Sequence, residues 1–163
     1  MSSLNDQLVK HIDEAVAMEE NVSRMLDGMI QTTDDPDVIG LLEKHKLETV
    51  QHSQRLRQRL DAHGASPSFV REATGIIGAL AKLPLDMVRG EKAGRNARDG
   101  YAAEHMEIAA YQLLERVATR AGDDETAEVA RLNRADEERM AKKLDEHWDH
   151  FAELSLREEG ALV

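Results

Sequence analysis

Glutamate and histidine side chains interrupt the apolar stripe of each of four predicted helices. At about 100° per residue, a helix over residues 101–115 places Glu104 and Glu107 on the stripe of Ile108, Tyr111 and Leu114. The other predicted helices repeat this pattern near mid-length. We interpret the residues directed inward as candidate metal ligands; they are Glu19, His45, Glu48, Glu104, Glu107 and Glu137. In the fourth helix Glu138 is the alternative, but Glu137 fits the apolar stripe better.

These residue types have the chemistry of a dinuclear metal site. In an antiparallel bundle, mid-helix positions lie at similar heights, so the inward residues are expected to converge. Four or five carboxylates in one dry core repel one another and raise one another's pKa unless cations are present. Two divalent or trivalent ions remove that conflict, and oxygen donors with one or two imidazoles favour iron or manganese.

The absence of cysteine excludes several other kinds of site. None of the 163 residues is a cysteine, so the chain has no disulfide, iron–sulfur cluster or thiolate zinc site.

An alternative interpretation exists for Glu19 when it is considered alone. A small error in the predicted rotation of its helix would place this side chain in solvent. Agreement among four helices favours the metal site.

The remaining histidines and Tyr111 are assigned other roles. His52 lies on the stripe of His45 and Glu48, and we interpret it as a surface or supporting residue rather than a ligand; His105 is interpreted in the same way. Tyr111 is interpreted as core packing, with support of a ligand through its hydroxyl as the alternative. The histidines interpreted as ordinary surface or core residues are His11, His63, His147 and His150.

Four long helices must position the inward residues. Apolar periodicity and breaker residues predict helices over residues 3–31, 36–63, 91–120 and 125–154, with no strand. The first and last connections are short, whereas residues 66–90 form a long connection with a helical segment broken by Pro84. We therefore predict an all-α fold over residues 1–163 as one domain, a ferritin-like four-helix bundle with one long crossover containing an extra helix.

Composition and charge restrict the partners. The formal net charge of −11 argues against nucleic acid and anionic membranes, which attract basic surfaces. No apolar stretch is long enough to span a membrane. The first residues show no basic region followed by an apolar run, so no signal peptide is predicted and a cytoplasmic location is expected.

Several stretches resemble a known family. They are "MEENVSRMLDGM" at 18–29, "HKLET" at 45–49, "EHMEIAAYQLL" at 104–114 and "ADEERM" at 135–140. Together they resemble the YciE/YciF-type ferritin-like proteins of bacteria, over roughly residues 4–150. The resemblance implies a four-helix, often dimeric protein with a carboxylate-bridged dinuclear centre and an association with stress responses. It marks the same candidate ligands as the stripes do.

The chain departs from the usual ferritin-like pattern, which has Glu-x-x-His on two helices. Position 51 is Gln and position 140 is Met. The second helix instead offers His45-x-x-Glu48 and the third offers Glu104-x-x-Glu107, a doubled carboxylate like that of rubrerythrin-like peroxidases. The predicted site is therefore richer in oxygen donors.

Two functions follow as hypotheses. The first is a redox or stress-protective site with two Fe or Mn ions, which oxidises Fe(II) or consumes peroxide as its small oxidant. The alternative is a bundle that sequesters metal or binds a stress-related partner without turnover. Self-association as a homodimer is expected through the apolar segment over residues 69–83, with Gly75 and Gly78 allowing close approach; packing of this segment on its own bundle is the alternative.

Overall fold

The computed structural model describes residues 2–68 and 92–162, and all of the regular structure in these ranges is α-helical. The helices are α1 (Leu4–Gln31), α2 (Pro36–Ala62), α3 (Ala93–Ala121), α4 (Asp124–Asp145) and α5 (Trp148–Glu158). The all-α prediction is therefore confirmed for the described residues. The predicted crossover helix, its break at Pro84 and the proposed dimer segment over 69–83 lie outside them.

Polar residues cap the helix starts. At α1 the Ser3 hydroxyl accepts a hydrogen bond from the Asp6 N–H, and the Asp6 carboxylate accepts one from the Ser3 N–H. Asp35 caps α2 by accepting from the backbone of the second and third residues of the helix. Asp123 does the same for α4 through the Thr126 N–H. These side chains satisfy donors that have no partner within the helix.

Helices that are neighbours in the bundle run antiparallel. The short connections pair α1 with α2 and α3 with α4. A hydrogen bond from Asn96 to Thr32 brings the start of α3 to the end of α1. Another, from Arg59 to Thr126, brings the end of α2 to the start of α4. Positions near the middle of all four long helices therefore lie at the same level.

The predicted fourth helix is divided into two. The sequence predicts one helix over 125–154, but α4 ends at Asp145 and α5 begins at Trp148. The His147 N–H bonds to the Leu144 carbonyl, three residues back, and its Nδ1 lies 2.6 Å from the Lys143 carbonyl oxygen. The turn directs α5 onto α3, where Phe151 is buried. Because Leu144 and Phe151 keep helical spacing, the apolar pattern does not reveal the turn.

Apolar side chains fill the bundle above and below its middle. Leu8, Leu56 and Leu114 at one end, and Leu26 and Leu144 at the other, are at most 3% exposed. Charged residues replace them at mid-length, which is the level of the candidate site. Within residues 2–68 and 92–162, none of the helices has an apolar stretch suited to crossing a membrane.

Two glycines are expected to respond in opposite ways to substitution by alanine. Gly40 lies inside α2, and a Cβ there meets no atom within 4 Å, so G40A should stabilise the protein by about 0.5–1 kcal/mol. Gly122 ends α3 with a φ of 76°, so G122A should destabilise it by about 1–2 kcal/mol. Urea unfolding of both variants measures this, and a less stable G40A would contradict the helix assignment.

Candidate metal centre

Two groups of potential ligands meet at the middle of the bundle. His45, Glu104, Glu107 and Glu137 each direct one donor atom to a common region in which these atoms lie within 4.8 Å of one another. Glu19, His52 and Glu137 form the second group by the same measure. Glu137 belongs to both groups. The two groups are therefore adjacent and have one carboxylate in common.

Short distances connect the imidazoles to the carboxylates. His45 Nε2 lies 3.1 Å from Glu104 Oε1 and 3.4 Å from Glu137 Oε2. His52 Nδ1 lies 2.8 Å from Glu137 Oε1 and 3.5 Å from Glu19 Oε1. Each imidazole thus faces a pair of carboxylates, and α4 supplies the carboxylate that both pairs contain.

Most donor atoms of the two groups are buried without a hydrogen bond. Among the described residues, nine buried side-chain N or O atoms have no hydrogen-bond partner, and eight of them belong to the six residues of these groups. Both carboxylate oxygens of Glu107 and of Glu137 are among the eight. Buried polar groups without partners are rare in proteins because each costs about 1–3 kcal/mol. The atoms therefore have the arrangement expected of ligands that point at cations.

Each imidazole also has a carboxylate on its outer side, in addition to the pair that it faces. Glu48 Oε2 lies 3.3 Å from His45 Nδ1, and Asp136 Oδ2 lies 2.9 Å from His52 Nε2. A carboxylate on one ring nitrogen fixes the proton there and leaves the lone pair of the other nitrogen free for a metal. His45 would then bind through Nε2 and His52 through Nδ1.

A buried hydrogen-bonded chain supports Glu19. The Tyr111 hydroxyl donates to Glu19 Oε1 and accepts a hydrogen bond of 3.0 Å from the Asn133 side chain. Asn133 in turn accepts one of 2.9 Å from Arg55. Tyr111 and Asn133 are fully buried. These hydrogen bonds hold Oε1 of Glu19, whereas its Oε2 has no hydrogen-bond partner.

Burial and mutual repulsion raise the pKa of the inner carboxyl groups. Burial, followed by repulsion from Glu137, raises the pKa of Glu107 well above its usual value. Burial raises the pKa of Glu104 to about 8 against the opposing effect of His45. Burial also raises the pKa of Glu19, although His52 and Tyr111 oppose the change. The metal-free centre therefore retains protons at neutral pH.

The neighbouring carboxylates raise the pKa of the two imidazoles. Burial by itself lowers the pKa of His52, but the carboxylates of Glu137 and Glu19, at 2.8 and 3.5 Å from its Nδ1, outweigh burial and raise the pKa to about 10. For His45 the pKa is likewise raised against burial, chiefly by the charge of Glu104. Both imidazoles carry a proton in the metal-free protein. A metal ion would have to displace these protons.

The structure brings together most, though not all, of the predicted ligands. Glu19, His45, Glu104, Glu107 and Glu137 lie in the two groups. Glu138 lies outside them, because its side chain is 53% exposed and pairs with Arg134. Glu48 also lies outside them, because its side chain is 25% exposed and lies on the outer side of the His45 ring. A one-residue step of about 100° around the helix axis separates the inward from the outward position in α4.

His52 lies deeper than the sequence predicts. It is fully buried in the second group, whereas the sequence predicts a surface or supporting residue. Its spacing of seven residues from His45 was the available signal, because two helical turns return to the same face. If His52 is taken as the histidine of the usual Glu-x-x-His pattern in α2, Thr49 occupies the glutamate position. The Thr49 hydroxyl donates a hydrogen bond to the His45 carbonyl.

The donor set fits iron or manganese. Four carboxylates and two imidazoles converge, and carboxylate-rich sets without thiolate suit these ions better than structural zinc. Two divalent cations balance the charge of four ionised carboxylates. The eight unpartnered atoms are the observation on which this fit rests.

We expect the metal-free protein to lose stability as the pH rises. The pKa of Glu104 is raised from 4.5 to about 8 on folding, so its contribution is complete below about 4.5 and is lost as the pH rises through 8. His52 acts in the same direction, because its pKa is raised from 6.5 to about 10 on folding. Urea midpoints of chelator-treated protein between pH 5.5 and 9 should therefore fall with pH.

Glu104→Gln should make this decline shallower, because glutamine does not ionise. Glu138→Gln is the control and should leave the slope unchanged, since its carboxylate is exposed. A midpoint that rises with pH over this range would contradict the assignment of protons to the centre.

Comparisons with known proteins agree with this fold. A protein from Xanthomonas campestris pv. campestris has a TM-score of 0.79 and 26% identity, over 96% of this chain and 98% of that one. The Escherichia coli stress protein YciF has a TM-score of 0.77 and 17% identity, over 94% and 99%. Ferritin-like, diiron-carboxylate proteins from Bacillus anthracis have a TM-score of 0.73 and 17% identity, over 91% and 99%.

These likenesses confirm the predicted ferritin-like bundle. None of the curated proteins compared with the chain matches it. Residues 3–156 match the family described as "Domain of unknown function (DUF892)". Because that match includes nearly all of the five helices, the chain belongs to the DUF892 family, and its fold is similar to that of the stress protein YciF.

Proposed function

We propose that this protein binds two iron or manganese ions at the centre of the bundle and uses them in a protective redox reaction. The observation that carries the proposal is the set of eight buried donor atoms without hydrogen bonds, which belong to four carboxylates and two imidazoles. Three of the inner carboxyl groups have a raised pKa because they are buried together. Divalent cations would relieve both conditions.

The residues divide between binding and orientation. His45, Glu104 and Glu107 would hold one ion and Glu19 and His52 the other, with Glu137 available to both. Glu48 and Asp136 would keep the imidazole protons on the outer nitrogens. This division follows the two ligand groups and their shared member.

The redox part of the proposal rests on the oxygen-rich ligand set and on access. An apolar cavity with an empty volume of about 460 Å³, counting its open mouth, reaches Glu104 between residues such as Leu26, Leu42 and Met140. Such a lining admits small uncharged molecules, including dioxygen and hydrogen peroxide. Two Fe(II) ions would supply two electrons that, with two protons, reduce one peroxide to two waters.

Tyr111 and Asn133 keep Glu19 oriented, and the outer carboxylates fix the imidazoles. The DUF892 match does not assign a reaction. The likeness to a stress protein and to diiron-carboxylate proteins supports a protective role.

The alternative is metal sequestration, or binding of a stress-related partner, without turnover. The formal net charge of −11 favours this alternative because an acidic surface attracts metal cations. Both functions use the same ligands. They differ in whether bound Fe(II) reacts faster than Fe(II) in solution.

Under either function, we propose that the protein is a homodimer in the cytoplasm.

Metal binding should depend on Glu137 and not on Glu138. Anaerobic titration with Fe(II) or Mn(II), followed by elemental analysis, should give two ions per wild-type chain. Glu137→Gln should weaken binding at least about tenfold at both positions because it removes the shared ligand. Glu138→Gln, at the exposed neighbouring position, is the matched control. Equal occupancy in the two variants would contradict the proposed centre.

Oxidation of the bound metal separates the two functions. Protein loaded with Fe(II) is mixed with peroxide or air, and the near-ultraviolet absorbance of oxidised iron is followed by stopped flow. A phase faster than free Fe(II), present in wild type and Glu138→Gln but absent in Glu137→Gln, is the result expected of the redox function. Stoichiometric binding with no acceleration would leave sequestration.

A further inference from the structure

A polar opening lies between α2 and α4, on the outer side of the His45 ring. Its lining includes Lys44 and Glu48 from α2 and Arg139 and Lys143 from α4, with His45 at its floor. The empty volume is about 220 Å³ including the open mouth. Lysine and arginine thus supply three cationic side chains against one carboxylate.

The cations of this opening are paired differently from those nearby on the same helices. Lys46 pairs with Asp27, Arg57 with Glu20 and Arg134 with Glu115. In the part of the chain that the structure describes, neither Lys44 nor Lys143 forms an ion pair with a carboxylate. Lys46, Arg57 and Arg134 therefore connect helices, whereas Lys44 and Lys143 line the opening.

The remaining charges of the opening are already engaged. Glu48 is turned toward His45 Nδ1 at 3.3 Å. One Arg139 Nη donates to Asp136, and the other donates to the Ala135 carbonyl at 3.1 Å, so part of the guanidinium remains available. The positive charge at the opening is therefore not cancelled by these contacts. In a chain of net charge −11, such a local positive field selects against cations and for anions.

We propose that this opening binds a small inorganic oxyanion of the phosphate class. Lys44 and Lys143 supply ammonium donors from opposite helices, and Arg139 supplies the remaining guanidinium N–H groups. Ammonium and guanidinium groups form strong charge-assisted hydrogen bonds with phosphate oxygens. The anion would lie beside the outer nitrogen of His45, separated from the inner carboxylates by the imidazole ring.

The proposal does not depend on metal binding. The lysines and the arginine lie outside the two ligand groups, so the anion site can be tested with metal-free protein. Failure of metal binding would leave the anion site standing. Failure of anion binding would likewise leave the metal centre standing.

The test is a calorimetric titration of chelator-treated protein with inorganic phosphate at constant ionic strength. One phosphate per chain is expected to bind saturably, with sulfate competing and chloride not. Lys143→Gln should weaken phosphate binding about tenfold, the effect of losing a charged hydrogen bond. Lys142→Gln is the matched control, because this neighbouring side chain is 76% exposed and pairs with Glu146 outside the opening.

Two further variants test the charge balance. Lys44→Gln, on the opposite helix, should weaken phosphate binding to the same extent as Lys143→Gln. Glu48→Gln should tighten it by removing the single carboxylate at the opening. Urea unfolding of each variant verifies that it is folded. Absence of saturable phosphate binding, or equal weakening by Lys142→Gln and Lys143→Gln, would overturn the proposal.

Discussion

The burial of four carboxylates at one level of a helical bundle is the constraint on which the rest of the structure depends. Glu19, Glu104, Glu107 and Glu137 are at most 1% exposed. Ionised carboxylates in such surroundings cost several kcal/mol each unless opposite charges accompany them. Two imidazoles from α2 lie among them, and protons on these rings and on the carboxyl groups reduce the net charge. The centre is thus arranged for either protons or metal cations.

The surrounding residues hold this arrangement in place. Glu48 and Asp136 lie on the outer sides of the two imidazoles, while Tyr111 and Asn133 hold one oxygen of Glu19. Asp136 is itself held by Arg139, which also lines the cationic opening. One arginine therefore connects the support of His52 to the opening beside His45. A change at this surface residue can reach His52 through the hydrogen bonds of Asp136.

The stabilising core lies away from the centre. Buried aliphatic residues, such as Leu8 and Leu60 at one end and Leu26 and Leu144 at the other, occupy levels at which the helices pack without charge. Capping residues and interhelical pairs, including Arg59 with Asp123, fix the helix ends. The middle of the bundle can then carry groups that reduce stability, because the two ends supply the hydrophobic burial. This division is typical of sites that are maintained for binding rather than for folding.

The amino-acid sequence by itself determined the helical class, the order of the long helices and most of the inward residues, because helical periodicity is a local property. The tertiary structure decided three further points. It turned the chain at His147, it buried His52, and it left Glu48 at the edge of the site. The last two points depend on the rotation of α2 against its neighbours. That rotation is set by side-chain packing across the bundle, which periodicity along one helix does not contain.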